Sequence, residues 1–225
     1  MTDHARLQDE TQERRKGSAV GKAKDRLRKI GALFAQRGWS LGTSCNYSIV
    51  LDRDPFRLLL TASGKDKRRL TRNDFVLLDG QGTQLDNSGQ QPSAEAGLHL
   101  LLARLPEVGC VLHTHSVWGT LLSDLYGDAG GFWIEGYEML KGLRGITTHE
   151  TRHWVPVVPN NQDIPALVRS VGAVTHGFLI RKHGLYTWGR DLDEALRHLE
   201  IHEFLFEVVA RRLAFPAGGL THSSL

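Results

Sequence analysis

The sequence predicts an α/β layered domain, and three observations lead to this expectation. The chain has 225 residues, a length that fits one domain able to bury a substantial core. Short apolar runs alternate along it with segments in which apolar residues recur at helical spacing. No internal repeat or low-complexity segment breaks this order, which is typical of strands interleaved with helices.

The first predicted element is a helix from Ala19 to Arg37, followed by the stop signal Gly38. Residues 1–18 are polar and lack apolar periodicity, so we expect a flexible N-terminal arm before a single domain at 19–225. Further helices are predicted in PSAEAGLHLLLARL, SVWGTLLSDLY, IEGYEMLKGL, Asp163 to Val171, and Leu192 to Leu213.

Strands are predicted wherever short apolar or β-branched runs lie between turn residues. The early runs YSIVLD, RLLLTA and DFVLLDG are separated by turn pairs such as Asp54-Pro55 and Ser63-Gly64, a pattern typical of antiparallel strands. Later runs are VGCVLHTH, WVPVVP, FLIRK and LYTWG. The sequence therefore predicts a sheet that forms early in the chain and continues between helices.

Charge and composition argue against two classes of partner. The net charge is +3, but much of the excess lies in Glu13 to Lys29, where we expect a solvated tail and helix face rather than a nucleic-acid interface. No apolar stretch approaches the length of a membrane span. Two cysteines and an N-terminus without an apolar signal segment predict a reduced, cytoplasmic protein.

The stretch VLHTHSVWG places His113 and His115 two residues apart at the end of a predicted strand. Residues at this spacing project from one face of a strand, so both imidazoles could bind one metal ion. Such a pair arises easily by chance among 11 histidines, and a third ligand is therefore required. His183 is the best candidate because it lies at another strand end, where Gly184 permits a tight turn. Three neutral imidazoles would give Zn²⁺ an open coordination position, as in catalytic sites.

Other histidines fit less specific roles. His198 and His202 are four residues apart on the closing helix, and we expect ordinary polar positions on its surface or at a subunit contact. His99 lies inside an apolar helix, where a hydrogen-bonded, partly buried histidine is the expectation rather than a ligand.

A possible phosphate site lies in LTASGKDK. Ser63 and the N–H of Gly64 could bind phosphate oxygens, with charge from Lys65 or Lys67. Ser93, at the start of a helix whose free N–H groups favour anions, could complete this site. A plain Ser-Gly turn remains the alternative interpretation.

Two carboxylates could move protons near a metal. Glu95 lies in the first turn of the PSAEAGLH helix, and Glu138 lies in GYEMLKGL. The alternatives are a favourable helix-dipole position for Glu95 and a solvated helical residue for Glu138.

Five motifs, taken together in this order, resemble the class II aldolase and adducin-head family: GTSCNYSI, LTASG, PSAEAGLH, VLHTHS and RKHGLYTWGRDLDEALRHLE. The resemblance implies a three-layer α/β/α sandwich with a mostly antiparallel central sheet. It also implies a homotetramer with active sites near subunit contacts. One departure is Cys45, where many relatives have glycine.

The resemblance assigns roles to particular residues. It implies one Zn²⁺ per subunit, held by His113, His115 and His183. It implies phosphate binding by Asn46, Ser63, Gly64 and Ser93. The acid/base glutamate of the aldolases matches Glu95, whereas that of the dehydratases matches Glu138.

We therefore expect a metal-dependent lyase that removes water from a small sugar phosphate, with Glu138 as its acid/base group. The alternatives are a zinc-dependent sugar-phosphate aldolase or 4-epimerase, and a non-catalytic adducin-like interaction module.

Overall fold

The computed structural model describes residues 3–161 and 176–215. The chain divides into two compact units. The first comprises Met1–Thr114 with Trp188–Ala195, and the second comprises His115–Thr187 with Leu196–Leu225. The helix predicted from Asp163 to Val171 lies outside the described residues. A single catalytic domain after residue 18 stays a prediction.

The described part of the first unit includes two α-helices and four strands, besides a short 3₁₀ helix at Lys67–Arg69. They are α1 (Asp3–Gln36), β1 (Asn46–Arg53), β2 (Phe56–Thr61), β3 (Phe75–Leu78), α2 (Ala96–Ala103) and β4 (Cys110–Thr114). The strand order is β3-β2-β1-β4, and each neighbouring pair runs antiparallel. This arrangement confirms the antiparallel start of the sheet expected from the three early apolar runs.

The core of this unit forms because alternate residues of β2 and β3 point to one face of the sheet. Leu58 and Leu60 of β2 pack with Val76 of β3 and with Leu100 and Ala103 of α2. Burying an aliphatic side chain of this size contributes roughly 1.5 to 3 kcal/mol. The packing fixes α2 against the sheet, and the first turn of α2 thereby acquires a defined position.

The second unit contains α3 (Val117–Leu125), β5 (Gly131–Glu135), β6 (Arg152–Val158) and β7 (Gly177–Ile180), with most of β8 (Gly184–Gly189) and α4 (Leu192–Ala214). Its strand order is β8-β7-β6-β5. The pairs β5–β6 and β7–β8 are antiparallel, whereas β6 and β7 are parallel.

The parallel pair corrects one expectation: the sheet is mixed rather than mostly antiparallel. Val157 of β6 lies opposite Leu179 of β7, and Val158 lies opposite Ile180. Parallel neighbours require a long crossover instead of a tight turn, and residues 159–176 separate the two strands. An apolar strand pattern carries no signal of direction, so the sequence could not reveal this pairing.

Two helix predictions also need correction. Helix α1 begins at Asp3 rather than Ala19. The segment IEGYEMLKGL is not an α-helix: it contains the end of β5 and a 3₁₀ helix at Glu138–Gly142. Gly136 separates the two elements with a φ of 77°, a conformation that glycine adopts without steric cost. Among the described residues, no helix is long and apolar enough to cross a membrane.

Candidate metal centre and its carboxylates

Two of the predicted metal ligands flank the end of β4. His113 lies inside the strand and is fully buried. His115 follows the strand and is partly exposed. It stands directly before Ser116, whose Oγ accepts a hydrogen bond from the Gly119 N–H at 2.9 Å and caps α3. Strand end and helix start thus fix the backbone on both sides of His115.

The third predicted ligand, His183, lies in the turn between β7 and β8. Its N–H donates to the Ile180 carbonyl at 3.1 Å, and its own carbonyl accepts from Thr120 Oγ1 at 3.0 Å. The positive φ in this turn belongs to Lys182, at 55°. The tight turn was expected at Gly184, which instead begins β8.

The three histidines converge. The rings of His115 and His183 lie 4.6 Å apart between centroids, and one ligand atom from each of His113, His115 and His183 lies within 4.8 Å of the other two. Within the described residues, this trio is the group of histidine, cysteine and acidic side chains with metal-compatible spacing. Three imidazole nitrogens suit zinc and other divalent transition metals.

Asn46 and Glu95 form a hydrogen-bonded pair beside His113. Asn46 begins β1 and lies opposite His113 in the antiparallel register. Its Nδ2 donates to Glu95 Oε2 at 2.6 Å and to Ser93 Oγ at 3.1 Å. The same carboxylate oxygen lies 3.6 Å from His113 Nε2. The first turn of α2 therefore brings a carboxylate to a predicted metal ligand.

His99 lies behind this pair and is fully buried. Burial lowers the pKa of His99 to about 3, so its ring is neutral at ordinary pH. Its Nδ1 contacts Ser48 Oγ at 2.8 Å, and its Nε2 contacts Asn46 Oδ1. The hydrogen-bonded role expected for His99 is confirmed, although the residue is more deeply buried than predicted.

The role of Ser48 was not predicted. Ser48 and Asn46 are two residues apart on a strand, and Glu95 and His99 are four apart at a helix start. Each pair therefore shares a face. Those two spacings were a signal that could have pointed to the network.

Of the four predicted phosphate-binding residues, Asn46 and Ser93 share a hydrogen bond. Ser63 and Gly64 lie in a separate turn. Ser63 and Gly64 follow β2 and are exposed. The Ser63 N–H already donates to the Gln91 carbonyl at 2.9 Å, and Gly64 adopts a φ of 68°, which favours glycine. Ser93 Oγ accepts hydrogen bonds from Asn46 and from the Glu95 N–H at 3.2 Å.

The neighbouring lysines are engaged elsewhere. Lys65 pairs with Asp74 at 3.2 Å. Lys67 is buried, its Nζ donates to the Lys65 carbonyl at 2.7 Å, and burial lowers its pKa. The suggestion that Lys67 adds charge at an accessible anion site is therefore not supported by its position.

Glu138 begins the 3₁₀ helix and is well exposed, at 66% of its side chain. It forms an ion pair with Lys141 and lies 3.4 Å from His149 Nδ1. The hydrogen bond from Lys141 lowers the pKa of Glu138, which favours the carboxylate form. A carboxylate can accept a proton before it donates one.

Cys45 keeps the backbone conformation that glycine would allow. Its φ is 71°, in the left-handed region. Its Sγ donates to the Trp39 carbonyl at 3.3 Å, and the side chain is buried. The turn that leads into Asn46 therefore holds Cys45 in a conformation that glycine adopts without steric cost.

A second group of histidines, which we call the buried quartet, consists of His153, His176, His198 and His202. All four are less than one-tenth exposed. The expectation that His198 and His202 occupy surface or subunit-contact positions is therefore wrong. The face of α4 that carries His198 and His202 is buried because the rings of His153, in β6, and His176, directly before β7, pack against it.

Many ring nitrogens of the quartet form hydrogen bonds with other groups of the protein. His202 Nδ1 donates to the His198 carbonyl at 2.8 Å, and the Nε2 atoms of His153 and His202 are 3.3 Å apart. His176 Nε2 donates to the Arg144 carbonyl at 2.7 Å, while the Arg144 N–H donates to His198 Nε2 at 3.2 Å. Burial lowers the pKa of His153 to about 4, and it lowers the pKa of His202 well below its ordinary value.

A profile described as "Class II Aldolase and Adducin N-terminal domain" matches residues 25–210, most of the chain. The chain belongs to the class II aldolase and adducin family. The family match covers every predicted site residue, from Asn46 to His183, and confirms the resemblance carried by the five motifs.

Within the class II aldolase and adducin family, the chain is similar to proteins named methylthioribulose-1-phosphate dehydratase. The protein of Xanthomonas campestris pv. campestris strain 8004 is 47% identical over 178 residues, covering 76% of this chain and 81% of the relative. That of Serratia proteamaculans is 46% identical over 191 residues, covering 82% of this chain and 92% of the relative.

A solved structure supports the class II aldolase fold. L-fuculose 1-phosphate aldolase matches with a TM-score of 0.70 at 20% identity, covering 86% of this chain and 88% of that protein. At this level of identity the likeness concerns the fold alone.

Proposed function

We propose that the protein is a zinc-dependent methylthioribulose-1-phosphate dehydratase. It converts 5-methylthioribulose 1-phosphate to 2,3-diketo-5-methylthiopentyl 1-phosphate, a step of methionine salvage. The observation that carries this proposal is the identity of 46% with the Serratia dehydratase, which extends over 92% of that protein. The convergent histidine trio supplies the site that such chemistry requires.

His113, His115 and His183 would hold the metal. The fit rests on three imidazole nitrogen donors within 4.8 Å of one another, a donor set that leaves a position for substrate. When bound there, Zn²⁺ supplies Lewis-acid stabilisation of the negative charge that develops on the substrate oxygens.

Glu138 is the acid/base residue in this proposal. The hydrogen bond from Lys141, the first cause of its lowered pKa, keeps Glu138 in the carboxylate form. That carboxylate accepts the C3 proton of the substrate. As the C3–H bond breaks, a C3–C4 double bond forms and the C4–O bond breaks. Glu138 returns its proton to the departing hydroxyl, which leaves as water. The resulting enol then becomes the 2,3-diketone by proton transfer to C4.

Asn46, Ser63, Gly64 and Ser93 bind the phosphate in this proposal. Ser93 contributes a hydroxyl, and the exposed Ser63-Gly64 turn offers a second hydroxyl and an N–H. Both Asn46 N–H donors already face Ser93 and Glu95. An incoming phosphate oxygen would therefore replace Ser93 Oγ as an acceptor for Asn46.

A sugar-phosphate aldolase or 4-epimerase is the second candidate. The 3.6 Å contact between Glu95 and His113 favours it, because the aldolases of the resemblance use the glutamate that matches Glu95. A non-catalytic adducin-like module is less well supported, since the metal-compatible trio is complete.

A substrate panel separates these functions. Metal-replete protein is incubated with 5-methylthioribulose 1-phosphate and with other ketose and aldose phosphates, and the products are identified by mass spectrometry. Dehydration yields a product lighter by one water, cleavage yields two fragments, and epimerisation leaves the mass unchanged. Fragments or an isomer without a dehydrated product would refute the dehydratase.

We also propose a cytoplasmic homotetramer. Both cysteines are free thiols in the structure, which is compatible with a reducing compartment. Light scattering coupled to gel filtration gives the mass of the assembly, and a monomeric mass for the active enzyme would contradict the tetramer.

A further inference from the structure

A continuous hydrogen-bond chain leads from the buried core of the first unit to Glu95, which lies beside His113. It runs from Ser48 Oγ to His99 Nδ1 at 2.8 Å, and from His99 Nε2 to Asn46 Oδ1. It continues from Asn46 Nδ2 to Glu95 Oε2 at 2.6 Å, and that oxygen lies 3.6 Å from His113 Nε2.

The Glu95 carboxylate fixes the direction of every hydrogen bond in the chain. A Glu95 carboxylate only accepts, so Asn46 must present its NH₂ group to Glu95 and its oxygen to His99. The Asn46 oxygen also only accepts, so His99 must donate from Nε2. A neutral ring with its proton on Nε2 has a lone pair on Nδ1, and Ser48 therefore donates to Nδ1.

The alternative amide orientation is disfavoured by charge. If the Asn46 side chain rotated by half a turn, its oxygen would face the Glu95 carboxylate at hydrogen-bond distance, and its NH₂ group would face the N–H of His99. Both contacts would be repulsive. The tautomer of His99 thus selects one of the two orientations of Asn46.

We propose that His99 is a positioning residue for the reaction: through its Nε2–H it holds the Asn46 amide in the orientation that keeps Glu95 Oε2 facing His113. Ser48 supports this role by donating to Nδ1, the ring nitrogen that carries no proton in this tautomer. The effect on turnover rests on the proposed function, whereas the tautomer and the amide orientation do not.

The tautomer is measured directly on the wild-type protein. Long-range nitrogen–proton NMR correlations of protein labelled with ¹⁵N histidine distinguish a ring protonated at Nε2 from one protonated at Nδ1. We expect His99 to be protonated at Nε2, with its ring shifts unchanged between pH 8 and pH 5.5 because its pKa is about 3. A proton on Nδ1 would overturn the proposal, whatever the substrate of the enzyme.

The functional effect is measured with a matched pair of substitutions. His99→Leu removes both nitrogen atoms, whereas His99→Gln can still donate to Asn46 and accept from Ser48. We expect His99→Leu to lower kcat by about 10- to 100-fold, as is typical when an outer partner of a metal site is lost, with KM changed less than threefold. His99→Gln should restore most of kcat.

The separate effects on kcat and KM distinguish a positioning role of His99 from an effect on phosphate binding. A raised KM with unchanged kcat would assign Asn46 to phosphate binding alone and overturn the positioning role. Equal kcat in His99→Leu and His99→Gln, at matched melting temperature and metal content, would also overturn it.

A double-mutant cycle covers the case in which His99→Leu folds poorly. Ser48→Ala removes only a hydroxyl and should lower kcat in the wild-type background. If the chain acts through Asn46, Ser48→Ala should have little further effect in an Asn46→Ala background. Additive effects of the two substitutions would contradict coupling through Asn46.

Discussion

The molecule contains two groups of histidines that look similar in sequence but differ in their surroundings. In the trio of His113, His115 and His183, the ligand atoms converge to within 4.8 Å. In the buried quartet, nitrogens face the backbone of Arg144, a helix carbonyl and one another. Within the part of the chain that the structure describes, the quartet does not form a metal-compatible group.

The comparison shows that spacing alone does not identify a metal site. His198 and His202 share one face of a helix, just as the spacing of His113 and His115 places them on one face of a strand. What distinguishes the groups is convergence: one ligand atom from each ring of the trio lies within 4.8 Å of the other two. In the quartet, metal binding would leave the backbone groups named above unsatisfied. The predictions below test this distinction.

The largest expected effect comes from removing a ligand of the trio. His183→Gln should reduce dehydratase activity to the assay background, because two imidazoles no longer complete the site. The matched control is His176→Gln in the quartet, which should retain most activity in the same assay of diketone formation. Loss of activity in both variants at equal folded fraction would remove the distinction between the groups.

The next largest effect concerns Glu138, the proposed acid/base residue. Glu138→Gln should lower kcat by about two to four orders of magnitude, because the amide cannot transfer the proton. Glu107→Gln, at another exposed carboxylate, is the control and should leave kcat unchanged. Full turnover by a metal-loaded Glu138→Gln enzyme would reject the role proposed for Glu138.

A third prediction concerns the stability of the fold at acid pH. Burial lowers the pKa of His99 to about 3 and that of His153 to about 4, and it lowers the pKa of His202 well below its ordinary value. Below pH 6.5 the unfolded chain binds protons that the folded chain does not, so stability present above pH 6.5 is lost as pH falls towards 4.

The three groups together should lower the free energy of unfolding by about 4 kcal/mol between pH 7.5 and pH 5.5, at about 1.4 kcal/mol for each. Urea denaturation of the metal-free protein at the two pH values measures the difference. An unchanged free energy would contradict the neutral state of these buried rings.

A smaller change in the pH dependence of stability is expected when one member of the quartet is replaced. His202→Gln removes one of the three groups and should reduce that pH-dependent loss by about 1.4 kcal/mol, roughly a third. His149→Gln, at a half-exposed ring, should leave the loss unchanged. An identical pH dependence in wild type and His202→Gln would show that His202 titrates in the folded protein.

Local patterns explain which parts of the fold could be predicted. The antiparallel strands β1 to β3 and the closing helix are evident in sequence because period-two and helical spacing act over a few residues. The parallel pairing of β6 with β7 depends on residues far apart in the chain. The 3₁₀ helix at Glu138–Gly142 replaces a predicted α-helix because Gly136 interrupts the pattern.

The candidate site, like the fold, was predictable only where a local sequence pattern carries it. A strand spacing and a turn predicted the trio, and the structure brings those three residues together. The burial of His198 and His202 was not predictable, because it requires His153 and His176 from distant segments. The link from Ser48 through His99 to Asn46 likewise joins a strand to a helix, and no single motif contains it.

Metal analysis tests the central claim most directly. Protein purified without chelator is measured for metal content by inductively coupled plasma mass spectrometry, in wild type, His183→Gln and His176→Gln. The account predicts about one zinc per chain in wild type and His176→Gln, and a large loss in His183→Gln. Wild-type protein without stoichiometric metal, or undiminished metal in His183→Gln, would contradict it.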